Sequence, residues 1–175
     1  MPHLSTLLTA FFMLSTIIAP TLSLDSGIYK IGHTTASSDT VFLDSEYGDN
    51  EEVQLNYLRE GDNRQLWRVN SETDGTISLE NVQHNCKLGQ GSTAFGTPTI
   101  LCGTSGSFTL TPALSRRPNT YYANLAYGDE PRRIISQCYS GDNDSPCGNL
   151  TLAIGTDVVG LVDEEFTFTL LNPSS

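Results

Sequence analysis

The sequence predicts an all-β domain, and three observations carry that prediction. Short runs alternate apolar and polar residues, as in Gly27-Ile28-Tyr29-Lys30-Ile31, Gly75-Thr76-Ile77-Ser78-Leu79 and Tyr121-Tyr122-Ala123-Asn124-Leu125, the period of a half-buried strand. Glycine and proline punctuate the chain every few residues, and after residue 24 no stretch sustains a helical period. The runs also recur: taking Ile31, Leu79 and Leu125 as equivalent gives steps of 48 and 46 residues. Regularly spaced short strands with turns between them point to a sandwich or a barrel.

Each repeat opens on one of these runs and closes on a strand that carries an aromatic ring. The closers are Leu66-Trp67-Arg68-Val69, Ser107-Phe108-Thr109-Leu110 and Phe166-Thr167-Phe168-Thr169-Leu170. Three such units, at about 27–72, 75–112 and 119–172, predict a β-trefoil, a six-stranded barrel capped by three hairpins. Propeller blades have a similar repeat length, but three blades are too few to close a ring. The third unit is longer, with an insertion around Gly141-Asp142-Asn143-Asp144-Ser145-Pro146-Cys147.

The N-terminus carries a different signal. Leu7 to Ala19 is an apolar run without Asp, Glu, Lys or Arg, followed by Pro20 and small residues. This predicts a secretory signal peptide over 1–23 and a single extracellular domain over 24–175. The run falls short of the ~20 apolar residues a spanning helix needs, so no membrane insertion is expected. A net charge of −11 argues against nucleic acid or an anionic membrane as partner, because both require clustered Lys and Arg. Asn149-Leu150-Thr151 is a glycosylation acceptor suited to the secretory route.

Four cysteines, Cys86, Cys102, Cys138 and Cys147, follow the signal segment. In an exported chain an even count predicts two disulfides. Three pairings are open, and sequence proximity favours Cys86–Cys102 and Cys138–Cys147. A zinc site lacks the C-x-x-C spacing it would need.

Trp67, the only tryptophan, closes Gly61-Asp62-Asn63-Arg64-Gln65-Leu66-Trp67 in a Q-x-W arrangement. With the repeats around it, this resembles the ricin-B-like β-trefoil lectins over nearly all of 27–172. The second repeat adds Cys86-Lys87-Leu88 and Leu101-Cys102, at the spacing of that family's intra-repeat disulfide. The resemblance implies that the Trp67 ring plugs the barrel base and that Gln65 ties down the preceding turn. It also implies a non-catalytic module whose partner is a glycan or glycoprotein. Sugars are held in such a repeat by an aspartate that accepts from two hydroxyls, a stacked ring and polar amides. Carried over residue by residue, these are Asp44 as the aspartate, Gln54, Asn63 and Gln65 as the polar contacts, and Tyr57 as the ring. The family's ring position itself falls on Asn56, one residue before Tyr57, and Arg64 stands between Asn63 and Gln65. On this reading there is one site per chain, and Asp44→Ala abolishes binding while leaving unfolding nearly unchanged. Tyr121, Tyr122, Tyr127 and Asp129 leave open a separate site in the third repeat.

Catalysis and cofactors find little footing. His33 and His84 are the only histidines after the signal segment, without a G-x-S-x-G or H-E-x-x-H motif. The acidic stretch Asp44 to Glu52 does not fit a calcium loop. No enzyme activity, cofactor or metal is therefore expected. Two dibasic pairs, Arg116-Arg117-Pro118 and Pro131-Arg132-Arg133, read as exposed connections. They support an alternative, a protease inhibitor acting through trefoil loops, and here the chain more distantly resembles Kunitz-type and mycocypin-type inhibitors. A secreted effector that binds a protein partner is the third reading.

Overall fold

The computed structural model describes residues 24–35, 38–92, 98–127, 130–139, 149–155 and 165–171. These form twelve strands and one short 3-10 turn. The first four strands are β1 (Gly27–Thr34), β2 (Thr40–Asp44), β3 (Gln54–Asn56) and β4 (Leu66–Ser71). The next four are β5 (Ile77–Asn81), β6 (Leu88–Ser92), β7 (Pro98–Cys102) and β8 (Phe108–Pro112). The last four are β9 (Thr120–Tyr127), β10 (Glu130–Tyr139), β11 (Asn149–Gly155) and β12 (Glu165–Leu171).

Strand pairing defines the architecture. β1 pairs with β4, β4 with β5, β5 with β8, β8 with β9, β9 with β12, and β12 returns to β1, all antiparallel. Six strands thus close into a barrel without a free edge. The remaining six form three hairpins, β2–β3, β6–β7 and β10–β11. These hairpins also touch one another, since β11 pairs with both β3 and β7. Three four-strand units around one barrel constitute a β-trefoil.

The period-2 alternation explains why the strands face as they do. On β4, Trp67 and Val69 are buried, and Ile77 and Leu79 are buried on its neighbour β5. The other closers, Phe108, Phe166 and Phe168, are buried too. Their convergence with Ile31, Leu43 and Leu152 leaves about 20 Å³ at the centre, room for one water at most. The barrel centre therefore has no room for a ligand larger than water.

One disulfide is present among the described residues, where the sequence predicts two. Cys86 bonds to Cys102 with their Cα atoms 5.3 Å apart, tying the entrance of β6 to the end of β7. Cys138 lies on β10, but Cys147, and with it the second pairing, lies outside the described residues, as does the segment 1–23. Among the described residues no helix is long and apolar enough to cross a membrane.

Candidate functional site

The first repeat folds around two side chains without solvent exposure, Gln65 and Trp67. Trp67 donates its indole Nε1–H to the Leu43 carbonyl at 3.0 Å, which fixes β2 over the barrel rim. Gln65 uses both ends of its amide. Its Nε2 donates to the Tyr57 carbonyl at 2.9 Å, and its Oε1 accepts from the Arg59 N–H at 2.9 Å. A buried amide satisfied on both ends substitutes for a strand partner and pins the loop between β3 and β4.

Asp62 caps the 3-10 turn Asn63–Gln65 by accepting from the Arg64 N–H at 3.0 Å. Its carboxylate also receives the Arg64 guanidinium, with Nη2 at 2.6 Å and Nε at 2.9 Å. The Arg64 side-chain hydrogen bonds, opposed by partial burial, lower the Asp62 pKa to about 2.

Asp44, at the end of β2, is fully buried. Its Oδ2 accepts from Gln65 Nε2 at 3.1 Å and Asn56 Nδ2 at 3.2 Å, with Arg59 Nη1 at 3.5 Å. Its Oδ1 is buried and, among the described residues, has no hydrogen-bond partner. Arg59 lies over this carboxylate, reaching Glu46 at 3.4 Å and Asp62 at 4.0 Å. Asn56 also donates to Glu46, at 3.1 Å. Arg59 thus bridges three carboxylates, those of Asp44, Glu46 and Asp62, and Arg64 adds a second guanidinium on Asp62.

Of the residues the sequence singles out, Asp44 and Gln65 meet directly. Tyr57 is 68% exposed, and its link to the pair runs through its backbone carbonyl. Asn63 is exposed on the 3-10 turn. Gln54 lines a separate cleft with Tyr47, Glu51 and Glu52. Asn56 shares the Asp44 face because Gln54, two residues before it on β3, is the cross-strand partner of Asp44. Sequence reasoning gave Arg59 no role. Its lone positive charge between Asn56 and Asp62 is the only signal that marked it.

The dibasic pairs differ from each other. Arg116 and Arg117 are exposed between β8 and β9, in a loop wound into turns by Arg116 N–H to the Ala113 carbonyl at 3.2 Å and Thr120 N–H to the Arg117 carbonyl at 3.3 Å. Arg132 and Arg133 are not on an exposed connection, contrary to the sequence expectation. Strand pairing between β9 and β10 runs from Tyr127–Glu130 through Leu125–Arg132 to Asn124–Arg133, so both arginines are strand residues. The Arg133 guanidinium stacks over the Tyr122 ring, 4.2 Å from its centroid. Tyr121 and Tyr122 are themselves buried, which removes their rings from any exposed third-repeat site, while Asp129 lies outside the described residues. Among the described residues no three His, Cys, Asp or Glu side chains converge to hold a metal.

Solved structures share this architecture at low sequence identity. A ricin B-like lectin from Macrolepiota procera, solved in complex with lactose, superposes with a TM-score of 0.56 at 14% identity over 86% of this chain and 100% of the lectin. The Rhizoctonia solani agglutinin gives a TM-score of 0.59 at 14% identity over 86% of this chain and 99% of its own. The designed three-fold symmetric protein ThreeFoil gives 0.57 at 17% identity, covering 83% and 99%. No family model matches the chain, and no curated protein matches it in sequence. The likeness is one of fold: the chain is a β-trefoil of the architecture that ricin B-like lectins also adopt.

Proposed function

We propose that this chain is a secreted, non-catalytic carbohydrate-binding β-trefoil whose site is the polar cluster around Asp44 in the first repeat. One observation carries the reading. The aspartate that the lectin resemblance assigns to sugar hydroxyls has one oxygen, Oδ2, held by Gln65 and Asn56, and one, Oδ1, buried without a donor among the described residues. A buried carboxylate oxygen without a donor is costly, and a sugar hydroxyl is the donor it lacks. Gln65 and Asn56 orient the carboxylate, and Arg59 covers it. Binding displaces the Arg59 side chain, which is 37% exposed, toward Glu46 and Asp62. The pyranose face then meets the exposed Tyr57 ring. The lectin neighbours are consistent with such a role, and Asn149 is the glycosylation site of the exported protein.

A glycan array of the oxidised protein tests this reading, run beside Asp44→Asn and Tyr57→Ala. Tyr57 is on the surface, so its variant keeps the fold. Glycan binding by the wild type that is lost in both variants is the expected result. Binding retained in both removes this cluster as the site, and a silent array removes the lectin reading.

A further inference from the structure

A concave feature lies apart from Asp44, where the first two cap hairpins meet. It is a cleft of about 300 Å³ walled by Tyr47, Asn50, Glu51, Glu52, Gln54 and Ser92, with Leu101 behind them. Its floor is fixed by backbone pairing. Asn50 N–H donates to the Cys102 carbonyl at 2.5 Å, Cys102 N–H to the Glu51 carbonyl at 3.0 Å, and Val53 N–H to the Ile100 carbonyl at 3.1 Å. Cys102 is in turn held by its disulfide to Cys86. Gly103, at φ +118°, lets the two segments close, since a Cβ there would stand 2.8 Å from the Asn50 nitrogen. A loop pinned in this way presents its side chains already in place, which lowers the ordering cost of binding.

The side chains define a chemistry. Tyr47 is 64% exposed, so its ring is open to a ligand. Among the described residues the lining contains no Lys, Arg or His, so an anionic ligand finds no counter-charge there. Among the described residues the Glu51 and Glu52 carboxylates take part in no ion pair. Asn50, Gln54 and Ser92 add amide and hydroxyl groups that both donate and accept. A flat ring, two acceptor-only charges and several two-way polar groups around one cleft match a ring-shaped polyol that also carries a cation.

We propose that this cleft binds an amino sugar with a free ammonium, of the glucosamine type. The pyranose face stacks on Tyr47, the ammonium lies between Glu51 and Glu52, and the hydroxyls meet Asn50, Gln54 and Ser92. A neutral sugar would leave the two carboxylates without a contact. A lysine side chain would leave the amides and the hydroxyl unused.

Isothermal titration of the oxidised full-length protein with a glucosamine trimer tests the assignment, with the N-acetylglucosamine trimer and trilysine as comparators. The glucosamine trimer is expected to bind at least tenfold more tightly than either. The double variant Glu51→Gln/Glu52→Gln and the single variant Tyr47→Ala should each weaken it at least tenfold with an unchanged melting temperature. Leu114→Ala, an exposed change on the loop between β8 and β9, should leave it unaltered, whereas loss in Tyr57→Ala would assign the binding to the Asp44 region and overturn the assignment. Equal affinity for the N-acetylated trimer or for trilysine overturns the assignment. So does a double variant that binds like the wild type, or the absence of saturable binding.

Discussion

Gln65 Nε2 donates to Asp44 Oδ2 at 3.1 Å, joining two fully buried side chains across 21 residues of sequence. The bond couples the two halves of the first repeat. Gln65 belongs to the turn before β4, and Asp44 ends β2. The carboxylate that would meet a sugar is therefore also a structural acceptor.

This coupling corrects the expectation that Asp44→Ala would leave unfolding nearly unchanged. Alanine removes the acceptor shared by Gln65, Asn56 and Arg59; of these donors only Gln65 is fully buried, and Asn56 keeps Glu46 as an acceptor. A buried donor left unpaired costs about 1–3 kcal/mol, tempered here because Gln65 Nε2 keeps the Tyr57 carbonyl. Urea unfolding should place Asp44→Ala about 2 kcal/mol below the wild type. A loss within experimental error would mean that the cluster relaxes or hydrates freely.

Trp67 separates packing from hydrogen bonding. It has no exposed surface and donates to the Leu43 carbonyl. Trp67→Ala should cost about 3–5 kcal/mol as a large-to-small core change. Trp67→Phe keeps much of the ring but orphans the Leu43 carbonyl, and should cost about 1–3 kcal/mol. Paired denaturation curves check both values. Equal losses in the two variants would make the indole N–H, rather than the ring, the dominant contribution.

The barrel was legible because its causes are local. Alternation in Gly27–Ile31 and Gly75–Leu79 and the buried closing aromatics are read directly from side-chain period, and Cys86–Cys102 follows from proximity along the chain. The cluster was less so, because its members meet through loop geometry. Asp44 stands out as a residue, but the chain does not announce that Arg59 will lie over it, fifteen positions on. That outcome depends on Gln65 clamping the Arg59 N–H. Arg132 and Arg133 were misplaced for a related reason. A Pro-Arg-Arg sequence carries the marks of a turn, yet pairing with Leu125 and Asn124 draws it into β10. Tertiary pairing overrides local composition wherever a neighbouring strand supplies the partners.

The Cys86–Cys102 bond closes a loop with a sequence separation of 16, for which the chain-entropy model gives about 3 kcal/mol. Cys86→Ser/Cys102→Ser should lower the urea midpoint accordingly. Because Cys102 also anchors Asn50 and Glu51, the variant should exchange the Asn50 amide hydrogen faster than the wild type. Unchanged exchange there would show that backbone pairing alone holds the cleft.

Asp62 supplies a pH dependence with a definite sign. Its carboxyl is lowered from an ordinary 3.8 to about 2, chiefly by the side-chain hydrogen bonds from Arg64. The folded state thus binds this proton less readily than the unfolded chain. The stability Asp62 contributes is present above about 3.8 and is lost as the pH falls through about 2. The Asp62 and Arg64 side chains are 15% and 34% exposed, so solvent screening holds the contribution to about 1 kcal/mol. Arg64→Gln removes the ion pair and leaves the backbone cap in place. Its deficit relative to the wild type should be complete at about pH 5 and shrink toward zero below about pH 2. The Asp62 carboxyl, followed by NMR, should titrate near 2 in the wild type and closer to 3.8 in the variant. A deficit that stays constant across this range would assign the loss to Arg64 packing rather than to its charge.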